Sequence, residues 1–289
     1  MHIKKRERGV SMKFKKVITG IALATAAALS LAAYTTQNAE AASKSSSKTV
    51  KVGVMTFSDT EKARWDKIKE LVGDKANIEF TEFTDYTQPN EAVANKEIDI
   101  NAFQHYNFLE NWNKENKQNL VAIADTYLAP IRLYSDKVKK VKSIPKNGTI
   151  AIPNDATNES RALYLLQSAG LIKLNVSGTE IATVANITKN PKNLNIQELD
   201  ASQTARSLKD VDAAVINNTY IEQANLTTDD AIYVEKSDKN SKQWVNVIAA
   251  RKNWKKQKNA AAIQAIIDAY HTDEVKKVIK DTSSDIPQW

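Results

Sequence analysis

The amino-acid sequence predicts an α/β fold in two units, each a sheet flanked by helices, with a cleft between them. Two observations carry this reading. Alternating, β-branched runs are separated by helical runs, the rhythm of a doubly wound sheet. That rhythm completes itself by about residue 125 and restarts near residue 131 after an extended crossover. No short internal repeat accompanies it.

In the first unit, residues 49–55 (TVKVGVM) alternate and are β-branched, so a strand is predicted there. Ser58, Asp59 and Glu61 mark the start of a helix running to about residue 72. A strand over 78–83 follows. Pro89 then opens a helix of about eight residues, at a position where a missing N–H costs nothing. A strand over 98–103, a helix over 106–116 and a strand over 120–125 complete a parallel, doubly wound series. In the second unit, strands are predicted over 131–135 and 149–152, then the loop PNDATN and a helix from about 159 to 169. A strand over 195–198, a helix over 202–208, a strand over 213–216 and a helix near 220–224 follow. A strand over 244–250 and helices over 259–270 and 272–279 close the series.

The N-terminus reads as a targeting segment. Seven basic residues between Lys4 and Lys16 precede an uncharged run, 17–33 (VITGIALATAAALSLAA), and the A-x-A signal Ala39-Glu40-Ala41. This is the region order of a secretory signal peptide, with cleavage expected after Ala41. The rival reading is an uncleaved anchor, but the run is short for a membrane span and rich in alanine. Met12 is an alternative start. Residues 42–48 (ASKSSSK) read as a flexible tether. Residues 1–41 hold seven Lys and Arg against two Asp and Glu, so five of the chain's seven net positive charges belong to them. Residues 42–289 carry only +2. They hold no dense basic patch with interleaved aromatics, and nucleic acid is excluded as a partner.

Composition excludes further classes. The chain has no cysteine, hence no disulfide, thiolate metal site, cysteine nucleophile or thioether lipid anchor. From Gly53 onward no two glycines are close enough to write GxGxxG or GxxxxGK[ST]. His2, His105 and His271 cannot make a histidine-rich metal site. Neither G-x-S-x-G nor H-E-x-x-H occurs, and carboxylate pairs such as Asp229-Asp230 are unspecific. The expectation is a binding protein rather than an enzyme, with no catalytic residues, cofactor or metal.

Four loops stand at the carboxyl ends of predicted strands, where open α/β sheets bind ligands. One is Pro153-Asn154-Asp155-Ala156-Thr157-Asn158-Glu159-Ser160-Arg161, at a helix start whose free amides favour an anion. Arg161, read as lying in the first turn, can hold a carboxylate with two parallel hydrogen bonds, helped by Asn158. The plainer alternative is an exposed arginine beside an ordinary capped helix. Phe103 and His105 either line an apolar pocket or are a core phenylalanine and a satisfied histidine. Tyr86 and Asn217 occupy the same topological position in the other two loops.

The strings FTDYTQPN (83–90), IDINAFQH (98–105), IAIPNDATNESR (150–161), AGLIKL (169–174), NPKNL (190–194) and VDAAVINNTY (211–220) occur in this order. Through them residues 49–289 resemble the methionine-binding, or NlpA lipoprotein, family of substrate-binding proteins of bacterial ABC importers. The resemblance implies a type II periplasmic-binding-protein fold that closes on one amino acid. Its expected lobes are residues 49–128 with 245–289, and 129–244, with hinges near 128–129 and 241–245. It implies that Arg161 and Asn158 hold the ligand carboxylate and that Asn217 contacts the ligand's backbone end. Tyr86, Phe103 and His105 would line the side-chain pocket, where aromatic walls suit a thioether. The implied partners are methionine or a similar amino acid and an ABC permease with its cytoplasmic ATPase, the receptor itself being a monomer.

Three departures from the family pattern stand out. The lipobox cysteine is absent and Tyr34 follows Leu31-Ala32-Ala33, so the protein is expected to be exported, extracellular or surface-associated (periplasmic if the host has two membranes), without a lipid at that site. Thr56-Phe57-Ser58 replaces a proline-histidine segment, and Arg132 replaces a glycine before Leu133-Tyr134-Ser135. Two alternatives follow: a receptor for a methionine-containing dipeptide, or an exported, adhesin-like surface protein on the same fold.

Overall fold

The computed structural model describes residues 48–289, so the signal segment 1–41 and nearly all of the tether lie outside the described residues. β1 (Thr49–Met55) leads into α1 (Asp59–Val72), where the Ser58 hydroxyl accepts from the Glu61 amide and caps the helix. β2 (Asn77–Phe83), α2 (Gln88–Ala94), β3 (Ile100–His105), α3 (Tyr106–Asn116) and β4 (Leu120–Leu128) follow. The second series holds β5 (Arg132–Tyr134), β6 (Thr149–Pro153), α4 (Ala156–Ser168) and a small pair, β7 (Lys173–Leu174) with β8 (Ile187–Lys189). It continues through β9 (Asn195–Leu199), α5 (Ala201–Thr204), β10 (Ala213–Ile216) and β11 (Tyr233–Val234). β12 (Val245–Arg251), α6 (Ala260–Tyr270), α7 (Asp273–Thr282) and β13 (Ile286–Pro287) come last.

These strands make a six-stranded sheet, ordered β13-β4-β12-β3-β1-β2, and a five-stranded sheet, ordered β11-β5-β10-β6-β9. β1 is parallel to both β2 and β3, and β6 is parallel to both β9 and β10. Neither sheet is parallel throughout. β12 lies antiparallel between β3 and β4, and β5 is antiparallel to β10. β12 comes from far along the chain and takes the slot beside β3 that β4 would fill in a simple β-α-β-α-β series.

Each sheet packs its helices over its own apolar cluster. Val52, Trp65, Ile68, Ile263 and Tyr270 belong to the first, and Leu133, Ile150, Ile152, Leu163 and Val215 to the second. A third cluster joins Met55 and Phe103 of the first sheet to Tyr134, Ile216 and Tyr220 of the second series. Gly53 sits where an added Cβ would fall 2.5 Å from Ile98 Cδ1, so β1 and the segment before β3 approach closely there.

Some local expectations are corrected. The segment near 220–224 is two 3₁₀ turns, Asn218–Tyr220 and Glu222–Ala224, and the helix over 202–208 is α5 followed by a 3₁₀ turn, Arg206–Lys209. α4 begins about a turn earlier than predicted because Asp155 is its cap, its carboxylate accepting the Asn158 amide. Arg161 therefore stands in the second turn, not the first. Among the described residues no helix is long and apolar enough to cross a membrane.

Candidate functional site

Four strand ends converge. β2 leads to Tyr86, β3 carries Phe103 and His105, β6 leads through Asp155 into α4 with Asn158 and Arg161, and β10 leads to Asn217. All six residues line one cavity of about 40 Å³. Sequence reasoning missed Gln104, Phe108, Asn218, Thr219 and Asn246 on its wall. Gln104 reaches it because the β3–β12 register slips between Val247 and Ile248, pairing Val247 with Gln104 and Ile248 with Ala102. Such a bulge breaks the two-residue alternation and re-aims the following side chains.

The polar wall is one oriented network. His105 Nδ1 accepts the Phe108 amide at 3.0 Å, which places the ring proton on Nε2, 3.4 Å from Asn158 Oδ1. Asn217 Nδ2 donates to the same oxygen at 2.8 Å. Asn158 Nδ2 in turn donates to both carboxylate oxygens of Asp155. Burial raises the Asp155 pKa, and the donors from Asn158 and Thr157 oppose that rise. The consequence for Asn217 is specific. With its amide nitrogen committed to Asn158, its Oδ1 is buried and has no partner.

Arg161 is held by a residue the sequence did not single out. Its Nε donates to Glu235 Oε1 at 2.9 Å, and its Nη2 to Glu235 Oε2 at 2.5 Å and Ala129 O at 2.9 Å. Glu235 Oε2 also accepts the Ile131 amide. The bidentate edge of the guanidinium is thus occupied within the protein, and Nη1 takes no part in these bonds. The two-pronged edge expected to be free for a ligand is therefore taken up by Glu235, and Nη1 is the end left outside these bonds. The indole of Trp244 packs 5.0 Å from the guanidinium carbon and 5.0 Å from the His105 ring centre.

The opposite wall is aromatic. Phe103 lies 5.7 Å from Tyr86 and 5.7 Å from Phe108, and the Tyr86 hydroxyl donates to Thr219 at 3.0 Å. Burial drives the Tyr86 pKa upward, so the phenol stays protonated. Burial, and then the nearby charge of Arg161, lower the His105 pKa to about 3. An unfolded histidine takes its proton near pH 6.5, so between that pH and about 3 the unfolded chain binds more protons at this position. Stability is therefore expected to fall with acidification across this window, at up to about 1.4 kcal/mol per pH unit. His105→Gln should remove that component. Urea unfolding of both proteins from pH 7 to pH 4 checks it, and equal slopes would refute it.

The profile of the NlpA lipoprotein family matches residues 50–289. The chain belongs to the NlpA lipoprotein family. Within it, the substrate-binding protein of a methionine transporter from Streptococcus pneumoniae is 62% identical, with a TM-score of 0.81 over 84% of this chain and 96% of that one. A nutrient-binding protein from Burkholderia cenocepacia, solved bound to methionine, is 39% identical, with a TM-score of 0.76 over 83% of this chain and 100% of that one. A probable D-methionine-binding lipoprotein MetQ from Haemophilus influenzae is 42% identical over 78% of this chain and 81% of its own length. The fold is that of the periplasmic substrate-binding proteins. Two departures from the family pattern fall beside the cavity rather than in its wall. Thr56 and Ser58 line an adjoining cavity of about 490 Å³, and Arg132 is buried behind Asn218.

Proposed function

We propose that this protein is the extracytoplasmic solute receptor of an ABC importer, taking methionine or a closely similar amino acid. The observation that carries the reading is the buried, unpartnered Oδ1 of Asn217, in the same cavity as Arg161 and a wall of aromatic rings. A free amino acid presents an ammonium donor, a carboxylate acceptor and a side chain, and each has a counterpart here. The ammonium would satisfy Asn217 Oδ1, the carboxylate would meet Arg161 Nη1, and a thioether would lie against Phe103, Tyr86 and Phe108. The methionine named for the S. pneumoniae and B. cenocepacia relatives supports the same ligand.

The cavity is far smaller than the roughly 300 Å³ at which small-molecule clefts begin. A ligand would enter by the walls parting or by extending into the adjoining cavity of about 490 Å³, which shares Phe103, Asn218 and Thr219 with this one. We propose that residues 49–128 with 245–289, and residues 129–244, move as two lobes about segments near 128–129 and 241–245. The strands of the two sheets divide between those ranges, which supports this. The receptor would be a monomer delivering its ligand to a permease with its cytoplasmic ATPase. Export with cleavage after Ala41, and no thioether lipid, follow from the leader and the absence of cysteine.

Calorimetric titration of ligand-stripped protein with L-methionine, D-methionine and other amino acids tests the reading. Asn217→Ala is expected to weaken methionine binding by roughly 10- to 100-fold, the value of one hydrogen bond to a charged group. Equal binding by Asn217→Ala would remove the assignment of the ammonium. One observation favours a second reading. The sequence has no cysteine for a thioether anchor, and a receptor without one is less readily held at the cell, so an exported surface protein on the same fold is the second reading. Wild-type protein that binds no amino acid or short peptide would favour it.

A further inference from the structure

Arg132 is buried and its guanidinium spans the two series of strands. It stands at the start of β5, immediately after the 129–131 crossover. Nη1 donates to Pro130 O and to Asn218 Oδ1, both at 2.7 Å, and Nη2 donates to Ser284 Oγ at 2.6 Å. Asn218 is gripped at its other end too, its Nδ2 donating to Asp285 Oδ1 at 3.2 Å. Asp285 is fixed in turn by Arg64, which is buried in α1. Asn218 is the residue after Asn217 and itself lines the ligand cavity. Its side chain is thus held from both sides, by Arg132 from the second series and by Asp285 from the C-terminal segment that pairs with the first sheet.

We propose that Arg132 is a positioning residue that aims the Asn217–Asn218 turn at the ligand and, through Ser284, fastens the closed cleft. The inference rests on the solute-binding reading above. The bond to Ser284 and the bond from Asn218 to Asp285 cross from residues 129–244 to residues 245–289. Both bonds join the two ranges, so an opening that separates Arg132 from Ser284 and Asn218 from Asp285 breaks them, and they then stabilise the closed form and not the open one. A contact of that kind slows ligand release and leaves the encounter step untouched. It touches no ligand atom, so it acts alike on every ligand the cleft accepts. A residue that merely supports the fold would have neither signature.

The test is stopped-flow tryptophan fluorescence, in which Trp244 beside the cavity is one of five indoles, using L-methionine and its thioether-free isostere norleucine on ligand-stripped protein. Ser284 is only half-buried, so Ser284→Ala removes the crossing bond without emptying the core. It is expected to raise the dissociation rate about tenfold for both ligands, the worth of one charge-assisted hydrogen bond, with association changed by less than about twofold. Arg132→Ala should raise dissociation further, because the Asn218 amide is released as well. Arg132→Lys should recover only part of the loss, since an ammonium cannot serve Asn218 and Ser284 in the fork geometry. Unchanged dissociation in both Ser284→Ala and Arg132→Ala, with wild type binding normally, overturns the clamp. So does a change confined to one ligand or to association. Wild type that binds neither ligand overturns the solute-binding reading itself, and the clamp with it.

Discussion

Arg161→Ala is expected to weaken methionine binding by roughly 30- to several-thousand-fold, and to destabilise the protein as well. The first effect follows from desolvation. A carboxylate entering a closing cleft loses its water and needs a charged donor in return, and removing one member of such a pair costs about 2–5 kcal/mol. The second follows from Glu235. Its carboxylate is largely buried, with a side-chain exposure of 15%, and it accepts two bonds from Arg161. Taking the arginine away leaves that charge with the Ile131 amide as its remaining donor, at a cost of about 3–5 kcal/mol. A loss of affinity in the single variant is therefore ambiguous. Arg161→Ala combined with Glu235→Gln removes the stranded charge, and is expected to regain most of the stability and none of the affinity. Calorimetry and urea unfolding of both variants, with Lys256→Ala as a surface control, decide the matter. Wild-type affinity in the double variant would mean that the ligand carboxylate binds elsewhere.

The contrast between Arg161 and Glu235 shows what a sequence reveals and what it hides. Arg161, Asn158, Asn217, Tyr86, Phe103 and His105 all stand at or just beyond strand ends, a position that topology alone marks for ligands. Glu235 follows a two-residue strand, lies far along the chain from Arg161, and carries no periodic or capping signal. Only the folded chain brings the two together. Four potential caps, Asn154, Asp155, Thr157 and Asn158, lie within five residues, and local pattern does not say which one wins. The choice of Asp155 moves Arg161 from the first turn to the second and changes which of its nitrogens are free. The antiparallel β12 is equally hidden, because its pairing with β3 and β4 is a contact between segments far apart in the chain, which the alternation of elements does not encode. The matched strings themselves divide. NAFQH and TQPN read as parts of a binding site, yet Asn90, Asn101 and Gln104 within them bond chiefly to one another.

Asn90→Ala is accordingly expected to cost about 3–5 kcal/mol of stability without touching the ligand directly. Asn90 and Asn101 are fully buried and Gln104 nearly so. Asn90 Nδ2 donates to Gln104 Oε1 at 2.7 Å, and Asn90 Oδ1 accepts from Gln104 Nε2 at 2.5 Å and from Asn101 Nδ2 at 2.9 Å. Gln104 Nε2 also donates to Asn101 Oδ1, and Asn101 Nδ2 to Pro89 O. The three amides thus satisfy one another, tying α2 to the bulged strand that carries Phe103 and His105. Alanine at position 90 strands Gln104 Oε1 and leaves one N–H each on Gln104 and Asn101 without an acceptor. Each buried polar group left unpaired costs about 1–3 kcal/mol, and fully satisfied networks lose more than their separate bonds suggest. Because Gln104 is also part of the cavity wall, its release should loosen methionine binding, by less than Asn217→Ala does. Urea unfolding gives the first quantity and calorimetry the second. A stability loss below about 1 kcal/mol, with an unchanged m value, would mean that water replaces the Asn90 amide and that the network is not what holds this wall in place.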